Sequence, residues 1–600
     1  MSHTRITRIG FATLAAACMI SCASAPSTHT ATADRQSDPL AIDQSAWRYD
    51  SENGIYYQLG IPYGTDIQSP AFETLAIYVP EAYFDATPNG DGTYTVKLNT
   101  TNMVNGYTSE SAPIMLPVNT GGYAAQLPPT EYSANGLSPY LDEGYVYVFV
   151  GMRGRKPMFG ESPDMGASGG APWGMADLKA GIRFLRYNSD QIPGNEERMF
   201  TFGMSGGGAQ SAVAGASGDS PLFTPYLEAI GAAMTDKEGN VLSDATYGCM
   251  AWCPITTLGA GDMAYEWNMG QFSDTGVRAE GTYTKALGTD LAWLFPLYLN
   301  SLGLKDSQGN DLTLESSATD DGLAMSGSYY ESVKRLIEES LEHWLIDTPF
   351  PYTVVELGFE MDGGFGGGGN QGPATGGKVQ RDSSTQDDLG VTYATKADYI
   401  ASLNADGQWV MYDEETGKVS ITSVADFVRR LKPATKDVGA FDEVDKGQGE
   451  NELFGDGVTP VHFDQAIASL IEQHQDAYSQ YPDWDPTLPD SYQEDMRLAD
   501  EMGNDIVTRA DMMDPLFYLA PTSEGYQSST PAKYWRIRSG VEQGDTALTT
   551  EYNIALAADM DPAIEDVDFE TIWNQKHRMA ERTGTSTQNF IDWVESCMGK

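Results

Sequence analysis

The chain has 600 residues, and its composition, 41% hydrophobic and 11% aromatic, is that of a globular protein with a large core. The formal net charge of -49 at pH 7 argues against nucleic acid and anionic membrane surfaces as partners, because both repel an acidic protein. Five cysteines are too few for a disulfide scaffold, and at most one disulfide can form among the three beyond residue 22, which are Cys249, Cys253 and Cys597.

The N-terminal segment, residues 1–22, has the pattern of an export signal. Arg5 and Arg8 precede the apolar run Ile9–Ile20, which is too short to span a bilayer stably. The run ends in Met-Ile-Ser-Cys, which is typical of a bacterial lipoprotein cleavage box and predicts that Cys22 carries a lipid. Residues 23–42 would then be a flexible tether. Ordinary cleavage without a lipid is the alternative, and either route predicts an extracellular or cell-surface protein.

Short hydrophobic runs predict strands, and longer amphipathic segments predict helices. The predicted strands are Ile55–Leu59, Thr74–Val79, Tyr94–Leu98, Ile114–Val118, Tyr145–Val150, Met199–Phe202, Cys249–Ile255, Tyr534–Arg538 and Val567–Ile572. The helices that flank them include Asp177–Tyr187 and Thr587–Cys597. Alternating strands and helices indicate an α/β fold with a parallel sheet, in which functional residues follow the carboxyl ends of the strands.

The pattern changes between residues 262 and 510, where helical segments such as Tyr330–Leu345 and Val424–Leu431 mix with turn-rich stretches. The glycine run Gly363–Gly369 lacks the Lys-Ser/Thr of a phosphate-binding loop, so we interpret it as a mobile loop. We therefore expect a core in two parts, residues 43–261 and 511–600. Residues 262–510 would be inserted after the sixth strand as a lid, or cap, over the strand ends.

The motif G-x-S-x-G occurs twice, at Gly166–Gly170 and at Gly203–Gly207. The first copy follows turn-forming residues. The second follows the apolar run Met199–Phe202 and leads into the small residues Ala209–Gly215, which is the strand–turn–helix order of a nucleophile elbow. Its glycines remove Cβ atoms where the backbone would be crowded. We predict that Ser205 is a nucleophile on a strained turn and not one more serine of a glycine-rich loop.

A nucleophilic serine needs a base, and histidine is suitable because its ordinary pKa lies near neutrality. Of the six histidines, His577 alone follows the last predicted strand, where the chain order Ser, Asp, His places the base. The others lie in the signal and tether or in the insertion, and they are His3, His29, His343, His462 and His474. A surface histidine in a basic stretch is the alternative interpretation of His577.

The acid that orients such a histidine should follow the preceding strand. After the strand Tyr534–Arg538 the chain offers Glu542 and Asp545, and we predict Asp545, with Glu542 in reserve. The alternative for Asp545 is an N-cap of the helix that begins near Ala547, a role for which aspartate is well suited.

The tetrahedral oxyanion of acyl transfer needs two backbone donors. One should be the amide of Gly206, directly after the nucleophile, and the other should come from the loop after the third core strand. That loop, Asn119–Tyr123, contains Gly121 and Gly122, whose missing side chains let the backbone approach a substrate. An ordinary Asn-Thr-Gly-Gly turn is the alternative.

Longer segments carry a resemblance to a known family. The stretches GMSGGGAQSAVAGASGDSPLFTPYLEAIGA, CPIT with DMAYEW, and RSGVEQGDTALTTE with WNQKH resemble bacterial tannases and related esterases, including feruloyl esterases, of the α/β-hydrolase fold. The resemblance covers most of residues 50–600 and is weakest around 360–425. It implies a secreted enzyme that hydrolyses phenolic acid esters under a large lid, with no metal or other cofactor.

The resemblance also implies residues that bind the acyl group. In tannases a lysine and a glutamate of the lid hold the hydroxyls of the galloyl ring, and Lys436 and Glu450 occupy the matching positions here. The alternative is that both are solvated lid residues. Tannases carry a further acidic residue two positions beyond the triad aspartate, and if Asp545 is that aspartate the position holds Ala547, which leaves gallate specificity open.

Together these features predict a serine esterase that acts on small aromatic carboxylic esters through an acyl-enzyme. A general carboxylesterase without phenolic preference, or more distantly a serine peptidase, is the alternative among enzymes. Outside enzymes, the alternative is a surface lipoprotein that binds ligands on an inactive hydrolase scaffold. The acyl group, the alcohol and the oligomeric state are left open by the sequence.

Overall fold

A nine-stranded sheet organises the structure, a computed structural model that describes residues 38–156, 169–319, 322–355 and 389–600. The predicted signal with Cys22, most of the tether and the glycine run Gly363–Gly369 lie outside the described residues. Residues Leu40–Lys600 form one compact unit, so the predicted borders near 261 and 510 stay a prediction.

The order of strands across the sheet shows how the chain winds. From one edge to the other the strands are Arg48–Asp50, Ile55–Pro62, Thr74–Pro80, Val146–Val150, Ile114–Val118, Met199–Met204, Gly248–Trp252, Tyr534–Gly540 and Asp566–Ile572. The first three pairs of neighbours in this order are antiparallel, and the other five pairs are parallel. This is a mixed α/β architecture dominated by a large, mostly parallel sheet.

The remaining strands pair two by two outside the large sheet. These pairs are Phe84–Pro88 with Tyr94–Leu98, Glu315–Thr319 with Gly322–Ser326, Tyr352–Thr353 with Thr392–Tyr393, and Val410–Asp413 with Lys418–Ile421. The α-helices are Ser138–Leu141, Trp173–Tyr187, Gly206–Ala216, Thr224–Ile230, Leu258–Asn268, Tyr283–Ser301, Ser328–Asp347, Lys396–Leu403, Val424–Leu431, Gly449–Phe454, Gln465–Tyr478, Leu488–Asp495, Ile506–Met512, Pro515–Leu519, Leu548–Met560 and Ser586–Cys597. In the described part of the chain, residues 253–533 contribute no strand to the large sheet.

The sequence predicted the central strands well and the margin of the sheet less well. Ile114–Val118 and Val146–Val150 are buried at every position, which is why they appear in the sequence as unbroken apolar runs. Tyr94–Leu98 forms a strand as predicted, but only its central residue, Val96, is buried, and the strand pairs with Phe84–Pro88 in a separate hairpin. The short edge strand Arg48–Asp50 has no apolar run and was not predicted. Among the described residues, seven strands of the large sheet precede residue 253, so the predicted insertion after the sixth strand is not confirmed.

The register of the parallel strands brings five chain segments to one edge of the sheet. Val118 pairs with Gly203, and Met204 pairs with Trp252. Trp252 also pairs with Arg538, two residues before the strand end at Gly540. The residues that follow these strands therefore meet at the carboxyl edge, where α/β proteins bind their ligands.

No helix of the described residues is long and apolar enough to cross a membrane. Cys249, Cys253 and Cys597 are all buried, and none forms a disulfide with another cysteine that the structure describes.

Candidate active site

Ser205 sits on a sharp turn between a buried strand and a buried helix. The strand Met199–Met204 ends directly before it, and the helix Gly206–Ala216 begins directly after it. Its backbone angles are φ 61° and ψ -124°, a conformation that non-glycine residues rarely adopt. The Ser205 amide donates a hydrogen bond of 2.9 Å to the carbonyl of Trp252 on the neighbouring strand, which holds the turn in place. This geometry is the elbow that the sequence predicted.

The glycines of the motif are required by close backbone contacts. A Cβ atom on Gly207 would lie 2.0 Å from the carbonyl oxygen of Val118. One on Gly206 would lie 2.5 Å from the carbonyl oxygen of Thr120 and from the amide nitrogen of Tyr123. The helix after Ser205 can therefore pack against the neighbouring strand and its loop only because these positions lack side chains.

His577 contacts the serine directly. Its Nε2 lies 2.9 Å from the Ser205 Oγ, so the hydroxyl can donate to a neutral imidazole. The loop that carries His577 follows the strand Asp566–Ile572, and it passes so close to Gly540 that a Cβ there would lie 2.2 Å from the Lys576 carbonyl oxygen. The histidine is thus held by the packing of two strand ends.

Burial sets the charge state of this histidine. It lowers the pKa of His577 below its ordinary value of 6.5, since the charged imidazolium is poorly solvated there. The carboxylate of Asp545 opposes this shift, and the charges of Lys436 and Lys432 reinforce it. The imidazole is therefore neutral near pH 7, as a base must be.

The other ring nitrogen of His577 faces a residue that the sequence did not single out. His577 Nδ1 lies 2.9 Å from the amide oxygen Oε1 of Gln543, whereas the nearest carboxylate oxygen of Asp545 is 3.6 Å away. The Asp545 side chain is 41% exposed. The reserve candidate, Glu542, accepts a hydrogen bond from the backbone amide of Asn574. Asp545 was predicted to orient the imidazole, but the residue within hydrogen-bond distance of Nδ1 is Gln543.

The predicted oxyanion donors lie side by side. Gly206 is the first residue of its helix, so its amide has no acceptor within the helix. A Cβ on Gly206 would lie 3.0 Å from the amide nitrogen of Gly122, which has a φ of 57° within the 3-10 turn Gly121–Tyr123. At Gly121 a Cβ would meet no atom within 4 Å, so the space beside the turn is open. The two segments therefore place their backbone amides next to each other beside this open space.

Arg155 stabilises this turn, a role that no sequence motif indicated. Its Nε donates to the carbonyl of Gly122, and its guanidinium also forms an ion pair of 3.1 Å with Glu452. Glu452 belongs to the helix Gly449–Phe454, which packs against the turn Gly121–Tyr123. Arg155 thus links the turn to the segment between residues 253 and 533.

The two predicted acyl-group ligands, Lys436 and Glu450, lie near His577 and Tyr123 respectively. Lys436 places its Nζ 4.1 Å from the ring centroid of Phe441, and its charge acts on His577. Glu450 is 5% exposed, and burial, followed by the nearby Glu450 carboxylate, raises the pKa of Tyr123 well above its ordinary value. Within the described residues, the Glu450 carboxylate has no hydrogen bond or ion pair.

Chemically, the arrangement offers an oxygen nucleophile, a neutral base and adjacent backbone donors. In the part of the chain that the structure describes, no group of three or more His, Cys, Asp or Glu side chains has the geometry of a metal site.

Comparisons with known proteins agree with this architecture. No family model and no curated protein sequence matches the chain. A tannase from Fusobacterium nucleatum is similar in structure, with 25% identity over 93% of this chain and 99% of that chain and a TM-score of 0.63. The native tannin acyl hydrolase from Lactobacillus plantarum has 24% identity over 90% of this chain and 94% of that chain, with a TM-score of 0.61. A tannin acyl hydrolase in complex with ethyl gallate gives the same identity, coverage and score. The resemblance to bacterial tannases is therefore confirmed at the level of the fold.

Proposed function

We propose that this protein is a serine esterase that hydrolyses aromatic carboxylic esters with phenolic hydroxyls. The observation that carries the proposal is the 2.9 Å hydrogen bond between His577 Nε2 and the hydroxyl of Ser205, whose backbone is held in a strained turn. A serine in this conformation, paired with a buried neutral imidazole, is the arrangement of an activated nucleophile.

The reaction proceeds through an acyl-enzyme. Ser205 Oγ attacks the ester carbonyl while His577 Nε2 takes the hydroxyl proton, and the amides of Gly206 and of Gly121 or Gly122 bind the oxyanion. The tetrahedral intermediate collapses, the bond to the alcohol breaks, and His577 returns the proton to the departing oxygen. Water then attacks the acyl-serine by the same route, which releases the carboxylic acid and restores the hydroxyl of Ser205.

The preference for phenolic acids is supported by chemistry at the site and by the structural relatives. Lys436 and Glu450 supply a cation and a buried carboxylate that accepts no hydrogen bond from the described residues, and ring hydroxyls can donate to that carboxylate. A tannin acyl hydrolase of similar structure binds ethyl gallate. Because a buried polar group without a partner costs about 1–3 kcal/mol, such a site rejects acyl groups that lack hydroxyls.

A panel of gallate, dihydroxybenzoate, ferulate and alkyl esters tests the substrate class. We expect Lys436→Ala and Glu450→Ala each to raise KM for hydroxylated aromatic esters about tenfold while hardly changing the hydrolysis of p-nitrophenyl acetate. Lys418→Ala, at a lysine that is 64% exposed and paired with Glu342, is the matched control. Equal losses on acetate and phenolic esters would reduce the proposal to a general carboxylesterase.

Labelling tests whether the protein is an enzyme at all. A fluorophosphonate should label wild-type protein at Ser205, and p-nitrophenyl acetate should give a burst of p-nitrophenol. An unlabelled, inactive wild type that still binds phenolic acids would indicate a ligand-binding protein on a hydrolase scaffold.

We propose further that the fold is that of an α/β-hydrolase and that residues 262–510 act as a lid. Lys436 and the helix Gly449–Phe454 both belong to this segment, and both lie around Ser205 and the turn Gly121–Tyr123. A lid that supplies acyl-group ligands would exclude water from the acyl pocket.

Export and lipid anchoring at Cys22 are proposed from the N-terminal sequence alone. In the native host, Cys22→Ser should move the protein from the membrane fraction to the soluble fraction without changing esterase activity, since the lipid takes no part in the chemistry. Equal distribution of wild type and variant would indicate ordinary secretion.

A further inference from the structure

The proposed reaction requires His577 in one tautomer, with the proton on Nδ1 and the lone pair of Nε2 facing Ser205. A residue that accepts a hydrogen bond from Nδ1 enforces this tautomer, and in hydrolases with a Ser-His-Asp triad that acceptor is a carboxylate. Here the direct acceptor is the side-chain amide of Gln543, which is 1% exposed. An amide can present either its oxygen or its NH2 group, so its orientation decides whether His577 can act as a base.

Three groups fix the orientation of that amide. Gln543 Nε2 lies within hydrogen-bond distance of three acceptors that share its two protons: Glu551 Oε1, Ser539 Oγ at 2.9 Å and Thr546 Oγ1 at 2.8 Å. The two hydroxyls can accept from Gln543 while they donate their own protons to the same Glu551 oxygen, which lies 2.9 Å from Ser539 Oγ and 3.1 Å from Thr546 Oγ1. The NH2 group of Gln543 is therefore directed at Glu551, and only the amide oxygen can face His577.

Glu551 is a buried carboxylate that the proposed mechanism does not otherwise use. It lies on the helix Leu548–Met560 and is fully buried. Burial raises its pKa to about 6, and the nearby Lys432 opposes the rise. The Lys432 ammonium also donates to the backbone carbonyls of Gln543 and Thr546, which fixes the turn. Above neutral pH, Glu551 is thus an ionised group that can only accept hydrogen bonds.

We propose that Gln543, oriented by the buried carboxylate of Glu551, is the positioning residue that holds His577 in its catalytic tautomer, and that Asp545 influences the imidazole only through its charge. This inference rests on the proposed hydrolysis by Ser205. Three residues here replace the single carboxylate of a Ser-His-Asp triad. Gln543 makes the hydrogen bond to His577, Glu551 fixes the orientation of Gln543, and Asp545 supplies a negative charge 3.6 Å from the ring.

The first experiment compares Gln543→Leu with Asp545→Asn on p-nitrophenyl acetate at pH 8. Gln543→Leu keeps the approximate shape of the side chain but removes the oxygen that accepts from His577 Nδ1. We expect kcat to fall about 10³- to 10⁴-fold with KM little changed, because the histidine is then left without the group that fixes its tautomer. Asp545→Asn should lower kcat by about tenfold or less, since it removes charge without breaking a direct hydrogen bond. A small loss in Gln543→Leu together with a loss of about 10³-fold in Asp545→Asn would overturn the proposal.

A charge swap keeps the test valid if Gln543→Leu does not fold. Gln543→Glu alone places two carboxylates within hydrogen-bond distance, where both cannot ionise, and should lower kcat at least about tenfold at pH 8. In the double variant Gln543→Glu/Glu551→Gln the carboxylate at position 543 faces His577 Nδ1, and the amide at position 551 can donate to that carboxylate. The net charge of the protein is unchanged. The double variant should recover kcat to within about tenfold of wild type. A double variant as impaired as Gln543→Glu would overturn the proposal.

Nitrogen NMR of His577 separates this proposal from the proposed function. In the wild type the neutral ring should carry its proton on Nδ1, and in Gln543→Leu this preference should be lost. A wild type that shows the Nδ1 proton but hydrolyses no ester would overturn the esterase function while supporting the role of Gln543. A wild type with its proton on Nε2 would overturn the role of Gln543 whatever the activity.

Discussion

The two halves of the candidate site are built differently. The half around Ser205 consists of backbone: a strained turn, the amide of Gly206 and the turn Gly121–Tyr123, packed together by positions that lack side chains. The half around His577 consists of buried polar side chains, Gln543 and Glu551, that orient one another through hydrogen bonds. Backbone geometry appears in the sequence as a local glycine pattern. A side-chain network does not, because its members come from different elements and no single spacing identifies them.

The largest expected effect comes from the nucleophile itself. Ser205→Ala should lower kcat about 10⁵-fold and leave thermal unfolding unchanged, because only one hydroxyl is lost from a turn that the backbone maintains. Steady-state kinetics and calorimetry on the same preparation measure both quantities. If His462→Ala or His474→Ala abolished activity and His577→Ala did not, the proposed base would be wrong.

The backbone half should be sensitive to a single methyl group. In Gly207→Ala the new Cβ would lie 2.0 Å from the Val118 carbonyl, so the helix must shift, and we expect a lower Tm and a fall in kcat of about 10- to 100-fold. Gly259→Ala is the matched control, since it lies in the helix Leu258–Asn268 and its Cβ would meet no atom within 4 Å. The control should raise stability by about 0.5–1 kcal/mol. Equal behaviour of the two variants would show that the close contact at Gly207 does not exist in solution.

Arg155 connects the backbone half to the inserted segment, and its loss should have a moderate effect. Arg155→Met removes the hydrogen bond to the Gly122 carbonyl and the ion pair with Glu452. Because a hydrogen bond from a charged donor contributes about 1.5–3 kcal/mol, we expect kcat on p-nitrophenyl acetate to fall about tenfold with little change in KM. Arg582→Met, which breaks ion pairs with Asp347 and Glu570, is the control and should keep full activity. A loss that appears only in KM would mean that Arg155 shapes substrate entry instead of the oxyanion site.

The smallest expected effect is the pH dependence of the side-chain half. His577 must be neutral to act as a base, and burial lowers its pKa below 6.5, so kcat/KM should stay level down to about pH 6.5 and fall below it. The Asp545 carboxylate raises this pKa, so Asp545→Asn should move the fall to lower pH. A shift of the fall to higher pH in Asp545→Asn would contradict the proposed effect of its charge.

The sequence revealed the backbone half of the site more fully than the side-chain half. Ser205, Gly206 and the Gly121–Gly122 pair were predicted because the motif dictates their backbone geometry, and His577 was predicted because it follows the last strand. Asp545 was predicted because carboxylates are the usual partners of a catalytic histidine and because it follows the strand Tyr534–Arg538, a position that Glu542 shares. A glutamine two positions earlier gave no signal, because its role depends on a carboxylate eight residues further along the chain.

The sequence by itself determined the buried strands, the strained serine turn and the position of the histidine, because each depends on local hydrophobic runs or on glycine spacing. Only the tertiary structure decided which side chain binds the imidazole, how Arg155 ties the Gly121–Tyr123 turn to the helix Gly449–Phe454, and that Tyr94–Leu98 lies outside the large sheet. These features depend on distances between elements far apart in the chain. Such distances follow from sheet register and from the burial of polar groups, and neither has a local pattern in the sequence.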